Sequence, residues 1–443
     1  HVADVTGSGR MRMWSGGVKV CDLARSFIDS AGAKHYAKAA IPAVEDRDPF
    51  IRRPDGSTLA EKVTAVMGSA NVASQKGLVE MFDSTIGRST VLMPYGGRRQ
   101  ATETQVSVQK IPVGGYTDTA SVMAFGYNPD IALWSPYHAA AYAVVEACTK
   151  VTCSGADWSG MRFSYQEYFE RMTSDPHTWG KPLAALLGAL KMQAELGLPS
   201  IGGKDSMSGT FEHIHVPPTL VAFGITTVDA RKVISPEFKK AGDRIYLIKH
   251  NPLSNYMPDA AALKANWTFI REQAEAGSIV SAWSLSYGGV AEALVKMAFG
   301  NALGVRVNVP EDELFSLGYG SIVVEATGEL DFPAAGLLGE VTPSGICING
   351  VEMSLEALES AYEGRYFKLY PPRVAAGVEH PVVCLPVFPG TNCDYDTAKA
   401  FRAAGAEVRP FIFRNLTPED VLRSIDELAS RIDEAHILAF CRR

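Results

Sequence analysis

The sequence predicts a multidomain protein built from α/β and α+β units, and three observations predict it. The chain has 443 residues, beyond the size at which one hydrophobic core stops growing, so about two to four domains are expected. A short strand, turn, strand, helix pattern occurs near the N-terminus and again after residue 340. The C-terminal stretch alternates strand and helix as a parallel sheet does.

The elements follow in order. Val5-Thr6-Gly7-Ser8-Gly9 with Gly17-Val18-Lys19-Val20 returns as Val341-Thr342-Pro343-Ser344-Gly345 with Gly350-Val351-Glu352-Met353. Helices are expected over 22–30 and 355–362, so each copy reads as the closing element of one domain type; chance similarity is the competing reading. Residues 41–58 are rich in Pro, Asp and Arg without periodicity and read as a linker. From Leu59 to Asp229 helices (137–151, and 181–196 closed by Gly197) mix with strands (90–93, 220–225). The turn Ala241-Gly242-Asp243 introduces a second unit, with a strand over 244–248 and an apolar helix over 290–299, ending near Pro371-Pro372. Beyond it come a strand over 382–388, a helix over 395–404, a strand over 407–413, a helix over 418–428 and a strand over 436–440. A parallel sheet stopping at its third strand leaves a face and an edge uncovered, so this last domain is expected to be incomplete.

Composition narrows the function class. Apolar residues make up 47% and charged ones 21% of the chain, which suits a globular protein better than a disordered one. The net charge is −7 with both signs scattered; no basic stripe is present to meet nucleic-acid phosphates. No apolar run approaches the roughly 18 residues of a membrane span, and no signal pattern opens the chain. Seven cysteines without a CxxC pair read as reduced thiols in the cytoplasm. A first residue of His rather than Met is expected to mark an interior start.

Several segments carry candidate chemistry. Gly202-Gly203-Lys204-Asp205-Ser206-Met207-Ser208-Gly209 offers backbone N–H groups, a point charge, hydroxyl donors and an acid that would orient the lysine or meet a metal. It lacks P-loop spacing, and an ordinary Gly-rich turn stays open. Ser284-Leu285-Ser286-Tyr287-Gly288-Gly289 leads into a helix N-terminus, which suits a phosphate or, equally, a tight turn. Asp118 and Glu146 are candidate magnesium ligands, with a solvated surface acid as the alternative for each. His213 and His215 have a spacing zinc can use, but no third and fourth ligand is nearby. Cys393, after the first strand of the terminal unit, reads as a nucleophile or as an inert thiol, and so does Cys441.

Taken together, these segments resemble the phosphoribosylformylglycinamidine synthase family in its large single-chain form. The resemblance is carried by Asn71 to Gly77 with Phe82-Asp83-Ser84-Thr85, Ser135-Pro136-Tyr137-His138, Phe163 to Met172 and Gly202 to Phe211, which look like the second synthetase half. Pro389 to Asp396 and Arg414-Asn415-Leu416 look like the start of the fused class I glutaminase. The implied fold is a tandem of aminoimidazole ribonucleotide synthetase-like N- and C-domains followed by a truncated flavodoxin-like glutaminase domain. Residues 1–40 would be the tail of the preceding C-domain, 41–58 a linker, 59–232 the N-domain, 233–372 the C-domain and 380–443 the N-terminal part of the glutaminase.

The implied reaction converts formylglycinamide ribonucleotide, glutamine and ATP to formylglycinamidine ribonucleotide, glutamate, ADP and phosphate in purine biosynthesis. That makes the parent a carbon–nitrogen ligase with ATP/ADP and Mg2+ as cofactors and the missing first synthetase half and the rest of the glutaminase as partners; this piece alone is expected to be inactive. A scaffold half that holds a nucleotide and positions the glutaminase is the alternative. The resemblance implies nucleotide contacts from Gly202, Gly203, Lys204, Asp205, Ser206, Ser286, Gly288 and Gly289. It implies metal contacts from Asp118 and Glu146, and a glutaminase loop at Gly390, Thr391, Asn392 and Cys393. The glutaminase Cys, His and Glu would lie beyond residue 443. Ser284 stands where related proteins have an acid, and Lys150 where some place a ligating asparagine, so the lysine is expected to replace one cation's charge.

Overall fold

The computed structural model describes residues 3–30, 36–81, 89–370 and 378–441. The expectations for Phe82 to Thr85, for the Pro371-Pro372 stop and for Arg442 and Arg443 lie outside them.

Near the N-terminus, strands Arg10–Ser15 and Val18–Ala24 form a two-stranded antiparallel hairpin around Gly16 and Gly17, followed by helix Arg25–Ser30. The helix is shorter than the sequence suggests. Asp22 belongs to the strand, where Arg10 and Lys19 reach its carboxylate at 2.5 and 2.7 Å and bind it to the hairpin. Residues 36–58 have no helix or strand, yet they are not a free linker. Phe50 is buried against Tyr142 at a ring distance of 4.9 Å, Trp134 Nε1 donates to the Glu45 carbonyl, and Leu317 N donates to the Phe50 carbonyl. One buried aromatic suffices to tie an extended segment down, and periodicity cannot reveal it.

A five-stranded sheet follows, in the order Ser107–Lys110, Thr119–Gly126, Thr219–Asp229, Arg162–Tyr168, Ser200–Ser206. Its pairs are antiparallel except the last, which is parallel. Alternation sets its faces: Ala120, Val122 and Ala124 are buried while Met123 and Phe125 are exposed. The expected strand over 90–93 is absent; Thr90 makes only an isolated bridge to Gln109. Helices Pro136–Cys153 and Pro176–Leu196 cover the buried face. Ser135 caps the first, with Pro136 at its first position, and Gly197 closes the second at φ 75°. The helices touch where Gly188 meets the Tyr137 carbonyl; a Cβ there would lie 1.9 Å from that oxygen.

The second unit is a seven-stranded sheet in the order Ile279–Ser284, Ile322–Ala326, Arg244–Ile248, Ala335–Thr342, Gly304–Val307, Ile346–Ile348, Val351–Met353. Helix Gly289–Phe299 is apolar on nearly all sides and buried throughout, as a helix enclosed by other elements must be. Helix Leu59–Met67, which sequence order assigns to the first unit, contributes Val63, Val66 and Met67 to the core of the second. Contacts rather than chain order decide membership. The terminal unit is a parallel sheet in the order Glu407–Ile412, Val382–Val387, Ile437–Leu438, with helices Asp394–Ala403 and Pro418–Asp433. It has its own small core of Val383, Leu385, Ala398, Ala406 and Val408. Among the described residues, no helix is long and apolar enough to cross a membrane.

Candidate interdomain site

Two buried helices, one from each of the first two units, carry the same spacing of charge: Glu146 and Lys150 in Pro136–Cys153, and Glu292 and Lys296 in Gly289–Phe299. All four are at least nine-tenths buried. A charge so placed must be paired, and each pair closes one helical turn: Lys150 Nζ lies 2.7 Å from Glu146 Oε1, and Lys296 Nζ 2.8 Å from Glu292 Oε1.

Further contacts join the two helices into one network. Lys296 Nζ also donates to Glu103 Oε2 at 2.8 Å, and Tyr362 OH donates to the same oxygen at 3.3 Å. Gln105 brackets Ser284: its Nε2 donates to the Ser284 carbonyl at 2.9 Å and its Oε1 accepts from Ser284 N at 2.8 Å. Tyr287 OH donates to Asn128 Oδ1 at 3.2 Å, and Asn128 Nδ2 donates to Tyr319 OH at 2.9 Å. Tyr127 N donates to Glu146 Oε2 at 3.0 Å, so that carboxylate is engaged at both oxygens. Among the described residues, Ser284 Oγ and Trp283 Nε1 are buried without a hydrogen-bond partner.

The electrostatics favour the charged forms of Glu103 and Lys296. Burial pushes the Glu103 carboxyl up, but Lys296, then Lys150, outweigh it and hold Glu103 below its usual value. Burial disfavours the Lys296 ammonium, yet Glu103 and Glu292 together raise its pKa. Burial pushes the Tyr287 and Tyr319 hydroxyls up, so both stay protonated.

Beside this network opens a cleft of about 750 Å³, within the range of small-molecule sites. Its walls include Arg52 and Arg53 from the extended segment, Tyr142 from the first unit, and Leu285, Lys249 and Glu313 from the second. The Arg52 guanidinium donates to the Tyr287 carbonyl and fastens the segment over the helix start. Lys249 pairs with Glu313 at 2.6 Å.

The expected site residues are divided among four places. Ser286, Gly288, Gly289 and Glu146 come to the interdomain network. There Gly288 N, the amide a phosphate would seek, donates to Glu292 Oε2 at 2.8 Å, and Ser286 Oγ donates to the same oxygen at 3.4 Å. The helix is capped by its own carboxylate. Gly202, Gly203, Lys204, Asp205 and Ser206 form an edge strand rather than a loop, in register with residues 164–168. Lys204 lies over the Tyr168 ring at 5.2 Å, and Ser206 Oγ lies 3.0 Å from Ser208 Oγ.

Asp118 precedes strand Thr119–Gly126 while Glu146 faces its end; eight strand residues separate them by roughly 25 Å. Asp118 accepts from Tyr116 OH at 2.6 Å and faces Arg231 at 3.5 Å. Gly390, Thr391, Asn392 and Cys393 form the turn after strand Val382–Val387. Thr391 Oγ1 accepts from Phe388 N at 2.9 Å, and Cys393 is exposed in the left-handed region at φ 63°. His215 meets Thr210 and Glu170, and among the described residues no group of three or more His, Cys, Asp or Glu is arranged to hold a metal.

Sequence reasoning missed Glu103, Gln105, Asn128, Glu292, Lys296 and Tyr319. Nothing in Thr102-Glu103-Thr104-Gln105 announces chemistry. The pair Glu292 and Lys296 did carry a signal: opposite charges four residues apart inside an apolar helix are paired or functional far more often than idle.

Comparison with known proteins agrees with this architecture. Residues 380–442 match the CobB/CobQ-like glutamine amidotransferase domain. The chain is 26% identical over 353 residues to phosphoribosylformylglycinamidine synthase subunit PurL of a Nocardioides species, covering 73% of this chain and 45% of that protein. It is 23% identical over 407 residues to PurL of Zymomonas mobilis, covering 82% and 52%. The chain therefore spans about half the length of the curated relatives it matches. Among solved structures it is similar to PurLQS of Thermotoga maritima, with a TM-score of 0.53, 19% identity, and coverage of 76% of this chain and 49% of that one. It is also similar to T. maritima PurL complexed with FGAR, with a TM-score of 0.52, 18% identity and coverage of 75% and 47%. The fold is thus a mixed α/β arrangement resembling the PurL synthetase domains, with a glutamine amidotransferase match at its C-terminal end.

Proposed function

We propose that the chain is part of a large, single-chain phosphoribosylformylglycinamidine synthase, in which residues 59–372 form the second synthetase half and residues 380–443 belong to the fused glutaminase. One observation carries this reading: PurL-like domains and a glutamine amidotransferase match follow each other in one polypeptide. The intact enzyme would use glutamine-derived ammonia and ATP to turn an amide of formylglycinamide ribonucleotide into an amidine, in the cytoplasm. Hairpin 10–24 and helix 25–30 would close a preceding synthetase-like C-domain. The Gly390 to Cys393 turn lies beyond the C-terminal end of a parallel strand, where ligands of such sheets bind, and would face the glutamine.

Within the second half, the cleft between Arg52, Tyr142 and Lys249 is the place a nucleotide or ribonucleotide would occupy. Mixing the full chain with a separately produced first synthetase half tests the reading. Ammonia-dependent amidine formation is expected, and it should fall when Arg53→Ala and Lys249→Ala are introduced together. Activity that returns but ignores those substitutions favours the scaffold reading, in which this half only positions the glutaminase. No activity with a first half shown by chromatography to bind the chain would overturn both.

A further inference from the structure

The synthetase-like reading implies a magnesium-nucleotide held in part by Glu146 and the Gly288-Gly289 turn; the residues present do not suit one. Magnesium prefers one or two free carboxylates together with phosphate oxygens and water. Here Glu146, Glu103 and Glu292 are each bridged by a lysine ammonium at 2.7 to 2.8 Å. A phosphate at the Gly288-Gly289 helix start would meet the Glu292 carboxylate that already accepts from Gly288 N. Gly289 cannot open the turn by gaining a side chain, because a Cβ there would lie 2.5 Å from the Ser316 carbonyl.

We propose that this cluster is a metal-independent clamp between the two domains, in which the Lys150 and Lys296 ammonium groups supply the positive charge that a magnesium-nucleotide would otherwise bring. The geometry supports an arrangement built as a pair. The spacing of four residues recurs in two largely buried helices from different domains, Glu146 with Lys150 and Glu292 with Lys296. Lys296 reaches Glu103 on the short hairpin that packs against its own helix, and Tyr287 OH crosses the boundary to Asn128 Oδ1. The other pair stands behind it, where Lys150 also holds down the Glu103 pKa through space and donates to the Phe125 carbonyl at 3.0 Å. Three carboxylates and two ammonium groups leave the cluster one negative charge in excess. The N–H groups and hydroxyls that reach it from Tyr127, Gly288, Ser286 and Tyr362 spread that charge. A divalent ion brought here would have to displace the ammonium groups that already bridge all three carboxylates.

The comparison with magnesium rests on the synthetase-like reading, but the clamp does not need any purine activity, so the two fail separately. The experiment uses the full chain. Mn2+, whose free ion is read by electron paramagnetic resonance, is titrated with and without ADP into the wild type, Glu146→Gln and Glu103→Gln. The expected result is no Mn2+ uptake that depends on Glu146 or Glu103. Saturable uptake by the wild type that either substitution abolishes overturns the proposal, and the wild-type titration stays informative even if a variant folds poorly. The second arm is thermal unfolding. Lys150→Met, which strands a buried carboxylate, should lower Tm on the order of 10 °C, and adding Glu146→Gln to it should restore most of the loss. A double variant as unstable as the single one overturns the proposal as well.

Discussion

The two copies of the strand, turn, strand, helix pattern meet opposite fates. In the later copy, strands Ile346–Ile348 and Val351–Met353 form the edge of a seven-stranded sheet, and Ile346 and Ile348 are 0% exposed. Helix Leu355–Gly364 then packs Leu358 and Tyr362 against helices Leu59–Met67 and Gly289–Phe299. In the earlier copy, the hairpin pairs only with itself among the described residues, and Trp14, Val18 and Val20 are 60%, 66% and 62% exposed. Local pattern makes a hairpin in both places. Burial comes from neighbours, which the pattern does not contain.

The sharpest way to break the comparison is to place a charge in each copy. Ile348→Asp buries a carboxylate with no partner and should cost more than about 4 kcal/mol, abolishing the cooperative thermal transition of the second domain. Val20→Asp should leave that transition where it is. If both variants melt alike, the exposed face of the earlier copy is covered in solution, as the reading of residues 10–30 as part of a preceding domain requires once that domain is supplied.

Truncation gives a smaller contrast. Leu358→Ala should cost about 2–4 kcal/mol in urea unfolding through lost burial and a cavity. Phe27→Ala, on an exposed helix, should stay within about 0.5 kcal/mol.

Acid sharpens the difference through Tyr362, whose hydroxyl ties the later copy's helix to Glu103. The Glu103 pKa is below its ordinary 4.5 in the folded protein, so Glu103 contributes stability above that value. The contribution is lost as pH falls through the lowered folded pKa. Its side chain is 42% exposed, and solvent screening keeps the effect modest. Thermal melts of wild type and Glu103→Gln should converge below the ordinary carboxylate range and diverge above it.

The cap of the helix that receives the later copy is next. Thr58 and Glu61 form a reciprocal capping box, and Thr58→Ala should cost about 1 kcal/mol. The smallest effect belongs to the earlier copy's surface pair, Arg25 with Asp29 at 2.7 Å. Asp29→Asn should change stability by less than about 0.5 kcal/mol, and by less still at high salt.

Much of the fold was legible because its signals are local. The strand over 244–248, the helix closed by Gly197 and the alternating terminal unit lie where periodicity, caps and turn residues put them, since each is decided within a few residues along the chain. The strand expected over 90–93 failed for the converse reason: pairing with strand Ser107–Lys110 stops at Val91, leaving one bridge at Thr90. Chemistry was less legible. Gly202 to Ser206 reads as a phosphate loop by composition, but pairing with residues 164–168 makes it an edge strand.

The sequence by itself determined most of the helices and strands and the order of the synthetase-like and glutaminase-like regions. Only the tertiary structure decided that Leu59–Met67 joins the second core, that Phe50 anchors the segment before it, and that Glu103, distant in sequence, meets Lys296. The reason is physical. Hydrophobic periodicity and capping act over one or two helical turns, whereas the pairing of a buried charge depends on which groups tertiary packing brings within 3 Å, and that distance is fixed only when the packed elements meet.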